Sequence, residues 1–297
     1  MMWNNKILSG GLMLMTFTSC MKPMAKFSMS ADRADAPATI EFKNNSEKAD
    51  SYLWNFGDGT QSKDSVPNHH YTHSGKYDVT LSATKGKKTT TMTQPLIINP
   101  PTKCLIEITT DYGVMVAELY DATPKHRDNF LKLIEQGFYD GLLFHRVIDG
   151  FMIQGGDPDS KHAAAGAPLG MGGPGYQVPA EFVDSLIHVK GSLAAARMGD
   201  NVNPQKMSSG SQFYIVQGRP VESSVIDMFE SRKGTSYTPE QKKEYMELGG
   251  TPALDRDYTV FGRVISGLDV IDKIALVQKD SRDRPLKDVK MYIKAVK

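Results

Sequence analysis

Phe144-His145-Arg146-Val147-Ile148-Asp149-Gly150-Phe151-Met152-Ile153-Gln154-Gly155-Gly156-Asp157 sets one guanidinium, one carboxamide and several large apolar side chains at strand spacing, and closes on a Gly-Gly turn. In a strand, side chains alternate faces, so residues two apart share one. Arg146, Ile148 and Gly150 have one parity, and Met152 and Gln154 keep it if no bulge intervenes. Phe151 adjoins Gly150, where the backbone can bend or bulge and re-aim it. His145 has the opposite parity to Arg146 and reads as structural or as rim, not as an acid or base. Such a face suits an uncharged, hydrogen-bonding, partly apolar ligand such as a proline-containing peptide.

Other motifs flank this stretch in order. Phe130-Leu131-Lys132-Leu133-Ile134-Glu135-Gln136-Gly137-Phe138-Tyr139 lies before it. Gly191 to Ala196, Ser209-Gly210-Ser211-Gln212-Phe213-Tyr214-Ile215 and Val260-Phe261-Gly262-Arg263-Val264 lie after it. Together they resemble the cyclophilins, the peptidyl-prolyl cis/trans isomerases, over residues 104–297. Several separated motifs in order are far more specific than one short pattern. The resemblance implies an eight-stranded closed β-barrel capped by helices, with no cofactor and no metal. It assigns catalysis to Arg146 and Gln154, and an apolar proline socket to Phe151, Met152, Tyr214 and Leu254. Gln212 would line the neighbouring rim, and Ala196, Arg197 and Tyr258 would complete the substrate-binding set. Arg146 suits the chemistry because its charge is permanent and its fork directional. Gln154 can hold a substrate backbone group through its carbonyl and its amine at once. The chain departs from the family at four positions. Ala253 stands where a Trp is frequent, Tyr214 where Phe is, Tyr258 where His is, and Arg197 where Asn is.

Local signals place elements around these motifs. Leu105 to Thr109 and Val114 to Leu119 read as a hairpin about Asp111-Tyr112-Gly113. Thr123-Pro124 starts a helix, with Thr as cap and Pro in the first turn. Phe130, Leu133 and Ile134 make its apolar stripe, and Gly137 ends it. A last helix is expected near Val270 to Ile274. Residues 219–250 form a polar insertion foreign to the family. Within it, Thr238-Pro239-Glu240-Gln241 is a capping box, with Tyr245, Met246 and Leu248 available to pack. The insertion is expected to act as a lid or flank of the groove.

The chain has 297 residues, 40% of them hydrophobic and 23% charged, with a net charge of +1. This length suggests two domains, and the near-neutral balance gives no reason to expect nucleic-acid binding. Residues 24–99 read as a separate all-β sandwich. Ala38 to Phe42 and Tyr77 to Leu81 alternate, and Gly57-Asp58-Gly59 and Lys85-Gly86 mark turns. Tyr52-Leu53-Trp54-Asn55-Phe56-Gly57-Asp58-Gly59, Pro67, His70-Tyr71 and Gly75-Lys76-Tyr77 resemble a PKD domain, an immunoglobulin-like module. Tyr52, Trp54 and Phe56 would share one face, with Trp54 in the core. His69, His70 and His73 lack a persuasive zinc ligand set. Asp58 reads as a turn former. Pro100 and Pro101 mark a short extended linker over 100–103.

Residues 1–19 resemble a bacterial lipoprotein signal peptide. Lys6 precedes the apolar run Ile7 to Phe17, which is shorter than the roughly 20 residues that span a bilayer. Ser19-Cys20 then follows, with Cys20 the expected lipidated residue. Cys104 would be a buried, inert thiol. The expected protein is an isomerase anchored to the membrane through Cys20, in the periplasm or at the surface of a bacterial envelope. Its partners would be proline-containing peptides and unfolded or partly folded envelope proteins. Two competing readings are a non-catalytic proline-peptide holdase and an adhesion or carbohydrate-binding lipoprotein in which the first domain carries the function.

Overall fold

The computed structural model describes residues 22–296. Cys20 and the proposed signal lie outside the described residues. The chain divides into two compact units between Asn99 and Pro100.

In the first unit, Ala38–Asn44 alternates buried and exposed. From Val79 to Ala83 the strand Gly75–Lys85 buries every second residue. One apolar face per strand is what a two-layer sandwich requires. Strands 27–29, 38–44 and 68–71 make a three-stranded sheet; 33–35, 88–99, 75–85, 51–55 and 61–62 make a five-stranded one. Aromatic rings join the two layers. Trp54 has no exposed surface, and its ring lies 5.2 Å from Phe27 and 5.4 Å from Phe42. Its Nε1 donates to Asp64 O at 3.0 Å, so the indole is buried without an orphaned donor. Phe56 is buried with it, whereas Tyr52 is half-buried. The strand Lys88–Asn99 runs through Ile98 and Asn99. His69 stacks on Phe56 and bonds Asp58 at 2.6 Å. Asp58 also accepts from Thr60 N at 2.9 Å, the turn-forming contact expected of it. Among the described residues no group of three or more His, Cys, Asp or Glu side chains is arranged to hold a metal.

The second unit is a closed eight-stranded barrel. Around the ring its strands are 113–119, 260–266, 192–195, 213–216, 152–155, 142–148, 290–295 and 105–110. Helices Pro124–Glu135 and Leu268–Ala275 contribute Phe130, Leu133, Ile271 and Ile274 to the same core as Ile106, Ile108, Leu193 and Ile215. Burying one such side chain stabilises by about 1.5–3 kcal/mol. Cys104 is only half-buried, not fully buried as expected. Burial still pushes its thiol up, which keeps it unreactive.

The first helix starts where expected, but its cap differs. Thr123 occupies the cap position without a capping hydrogen bond. Glu181 supplies it instead, accepting from Lys125 N at 3.1 Å and from His126 N at 3.0 Å. Burial works against the Glu181 charge, yet hydrogen bonds from the His126 ring and the two amides hold its carboxyl below the usual range. A carboxylate here also favours the helix dipole.

The insertion contains two helices, Ser223–Lys233 and Pro239–Glu247. Only the second was legible, and its capping box is present. Tyr245 is fully buried, but Met246 and Leu248 are 42% and 40% exposed. Tyr245, Tyr237 and Ile226 pack on Ile187 and Val189 of the barrel flank. The close approach depends on Gly250, where a Cβ would meet His188 O at 2.4 Å and the Tyr245 ring at 2.6 Å.

Candidate active site

The decisive stretch is not one strand but a hairpin. Leu142–Ile148 pairs antiparallel with Met152–Gly155, and Gly150 takes φ +77° in the turn. Arg146 faces Gln154 and Ile148 faces Met152 across the ladder. Paired residues share a face, so the expected surface exists, assembled across two strands. The register slips by one between Phe144 and Arg146, which makes His145 the extra residue of a β-bulge. A bulge re-aims side chains that simple alternation would send to opposite faces. His145 therefore lines the same cavity as Arg146, contrary to the parity argument.

That cavity holds about 360 Å³ and is lined by Arg146, Phe151, Met152, Gln154, Ala196, Arg197, Tyr214, Leu254 and Tyr258. The size suits a small ligand or a peptide side chain. Met152 and Tyr214 form a small apolar cluster with Phe151, Leu254 and Tyr258, distinct from the barrel core. Gln212 lines instead a neighbouring cavity of about 370 Å³, which shares Gln154, Ala196 and Arg197.

A polar chain crosses the floor. Arg146 Nη1 donates to Gln154 Oε1 at 3.4 Å. Gln154 Nε2 donates to Gln212 Oε1 at 3.1 Å, and Gln212 Nε2 donates to Gly172 O at 2.7 Å. The chain sets both amide orientations. The first contact is long, hence weak, and Arg146 has no carboxylate partner among the described residues. Its other N–H groups remain free to serve a ligand. The Gln154 amide, by contrast, is already engaged within the protein.

Arg197 is held more tightly. Its Nε donates to Asp257 O at 2.6 Å, its Nη1 to Asp200 Oδ1 at 2.5 Å, and its guanidinium lies 4.5 Å over the Tyr258 ring. Stacking and two anchors keep the fork rigid. His145 is 4% exposed, and neither ring nitrogen has a hydrogen-bond partner among the described residues. Burial pulls its pKa down to about 4, so the ring is neutral near pH 7.

Tyr214 has a second connection. Its hydroxyl lies 2.9 Å from His188 Nε2, and His188 Nδ1 lies 2.7 Å from Asp255 Oδ1. Asp255 Oδ2 accepts from Tyr237 at 2.6 Å and from Tyr245 at 2.5 Å, both in the insertion. Burial raises the Asp255 carboxyl, but hydrogen bonds from His188 and the two phenols prevail and hold it below its ordinary value. An ionised Asp255 can only accept, so His188 carries its proton on Nδ1. Its Nε2 is then the atom that meets the Tyr214 hydroxyl. The phenol is thus directed away from the socket, and its ring forms the floor. Burial drives the Tyr214 pKa far upward.

Of the two expected roles, lid or flank, the insertion takes the flank: it is a buttress beside the groove. No residue of 219–250 lines the cavity. Instead Lys233 Nζ donates to Ala253 O and Asp255 O, each at 2.6 Å, clamping the segment that carries Leu254 from behind. Sequence reasoning missed His188 and Asp255 as groove supports, and missed Arg282 and Arg284 as groove lining. His188 and Asp255 are 67 residues apart, and no local pattern joins them.

The profile of the cyclophilin type peptidyl-prolyl cis-trans isomerases matches residues 105–295, and that of the PKD domain matches residues 20–99. A Staphylococcus saprophyticus protein named as a peptidyl-prolyl cis-trans isomerase is 38% identical over 185 residues, covering 61% of this chain and 85% of that protein. A Streptococcus pyogenes protein named as a bifunctional phosphatase/peptidyl-prolyl cis-trans isomerase is 40% identical over 190 residues, or 62% of this chain; the match spans only 37% of its length. A crystal structure of a Cryptosporidium parvum cyclophilin with the dipeptide Ala-Pro aligns with a TM-score of 0.46 at 24% identity, covering 64% of this chain and 98% of that one. The chain belongs to the cyclophilin type peptidyl-prolyl cis-trans isomerase family and carries a PKD domain before the isomerase domain.

Proposed function

We propose that this protein is a foldase of the bacterial cell envelope, held on the membrane through lipid on Cys20. It would catalyse X-Pro rotation in unfolded or partly folded clients, with Arg146 as the catalytic group. Amide resonance sets a barrier of about 20 kcal/mol, and no bond need break to cross it. The catalyst has only to favour the twisted amide over both planar forms. In the twisted state the prolyl nitrogen regains its lone pair and accepts a hydrogen bond. Arg146 donates that bond while Phe151, Met152, Tyr214 and Leu254 grip the ring. Gln154 lies beside the guanidinium, with Oε1 3.4 Å from Nη1, and biases its orientation. The carrying observation is an arginine without an ion-pair partner among the described residues, set at the wall of an apolar socket.

The envelope assignment rests on the lipoprotein-like segment Ile7 to Cys20. Among the described residues no helix is long and apolar enough to cross a membrane, so anchoring would fall to that segment. The test is an isomerisation assay on a proline tetrapeptide with wild type and Arg146→Ala. The expected loss in kcat/KM is about a hundredfold or more, roughly 3 kcal/mol of transition-state stabilisation. A rate within twofold of wild type would refute the role of Arg146. Binding of the peptide by wild type without acceleration would identify a holdase instead.

A further inference from the structure

We infer that the groove favours proline peptides that carry a carboxylate side chain beside the proline. This rests on the isomerase reading above and names the substrate class of the same site. Arg146, Arg197, Arg282 and Arg284 line the cavity, and no Asp or Glu lines it. The whole chain is nearly balanced, with 35 basic and 34 acidic residues, so the excess is local.

Two of these arginines come from the turn before the last barrel strand. Arg282 Nη2 donates to Gly166 O at 2.6 Å, and Arg284 Nη1 donates to Ala167 O. Val147 N donates to Asp283 O at 2.8 Å and ties that turn to the strand bearing Arg146. The guanidiniums are therefore placed, not loose. Acids compensate them in part. Asp200 pairs with Arg197 at 2.5 Å, and Asp280 and Asp288 approach Arg282 and Arg284 at 3.5 Å. Asp200 and Asp288 are 61% and 41% exposed, where solvent screens their charge; Asp280, at 23%, offsets more of Arg282 but only at 3.5 Å, and Arg146 has no such partner among the described residues.

A concave site with partly apolar walls focuses the positive potential that remains. A peptide carboxylate next to the proline meets it while the ring stays in the socket, and the arginine fork matches carboxylate geometry. If the two turn arginines served only to brace residues 166–167, their charge would not affect which peptide is preferred. If they select substrate, it would.

The experiment measures kcat/KM of the full chain on peptides differing only in Glu, Ala or Lys before the proline. A second trio varies the residue after it. Both are run at low and at high salt. The expected result is a Glu peptide favoured over the Ala peptide by ~3–10-fold in at least one trio, with Lys disfavoured and the spread collapsing at high salt. Arg282→Glu should lower the Glu-to-Lys ratio by about threefold or more, and Arg282→Lys should restore most of it. Equal turnover of all peptides at low salt would overturn this inference alone, since the Ala peptide would still report isomerisation. A Glu-to-Lys ratio unmoved by Arg282→Glu would overturn it too. No catalysis of any peptide would sink the isomerase reading and this inference with it.

Discussion

Tyr245→Phe removes one oxygen from a fully buried ring and leaves the rest of its packing intact. The lost hydroxyl donates to Asp255 Oδ2 at 2.5 Å, on a carboxylate that is only 4% exposed. A hydrogen bond to a buried charge contributes about 1.5–3 kcal/mol. Three partners remain on Asp255: Tyr237, the His188 ring and the His188 amide. The carboxylate is weakened, not orphaned, so a loss of about 2 kcal/mol is expected. For a unit of this size that lowers Tm by about 4–8 °C. The pH dependence follows from the depressed Asp255 carboxyl. Its stabilisation is fully present above the unfolded value near ~3.9 and is lost as pH falls through the lower folded value. Tyr245→Phe narrows that gap, so the two proteins differ most near neutrality and converge in acid. The assay is urea and thermal unfolding of the full chain at several pH values. It should follow near-ultraviolet tyrosine dichroism, because both tryptophans, Trp3 and Trp54, precede residue 99 and would not report on the barrel. A difference below about 0.5 kcal/mol at neutral pH, or one equally large in strong acid, would refute the buttress argument.

Four further outcomes are expected. The pH profile of kcat/KM should be flat between about pH 6 and 8, because Arg146 stays charged and burial keeps His145 neutral; a step near the ordinary His value that vanishes in His145→Gln would show acid–base participation. The same burial predicts that stability is fully present above about pH 6.5 and declines, by on the order of 3 kcal/mol, as pH falls toward the folded value of about 4. Unfolding curves for wild type and His145→Gln that run parallel across this window would contradict it. Cys20→Ala should move the protein from the membrane to the soluble fraction with its isomerase activity unchanged; a mutant that stays membrane-bound, or wild type that takes up no labelled lipid, would rule out the anchor. Ala253→Trp should tighten binding of cyclosporin-type macrocycles by about a hundredfold while altering turnover little, because it restores the Trp frequent in the family, Ala253 is exposed next to the cavity-lining Leu254, and no residue of 219–250 lines that cavity. Tight macrocycle binding by the unmodified protein, measured by calorimetry, would defeat this expectation.

Much of the architecture was legible because it rests on short-range periodicity. Strand alternation exposed Ala38–Asn44 and Trp54. The apolar stripe exposed the helix at 124–135, and Thr238-Pro239-Glu240-Gln241 exposed the capping box. Ordered motifs carried the family and most of the groove. The failures share a cause: each depends on how a segment pairs with another segment, near or distant, which its own spacing does not record. Thr123 reads as a cap, but Glu181, from 56 residues beyond Lys125, outcompetes it. His145 has the wrong parity on paper, and a one-residue register slip against 152–155 turns it into the groove.

By itself, the sequence determined two β units, the buried faces of several strands and the helices at 124–135 and 239–247, while the barrel and the groove residues came only through the ordered motifs and the family resemblance they carry. The strand faces and helix stripes follow from spacings of two to four residues, which local sterics translate directly into faces. Only the tertiary structure decided that Arg146 and Gln154 meet across a hairpin, that the insertion buttresses the groove through Asp255 and His188, and that Arg282 and Arg284 reach its wall. Those contacts join residues as far apart as the 117 positions between Ala167 and Arg284. They exist only once the closed barrel brings its strand ends together, and one-dimensional periodicity carries no signal for closure.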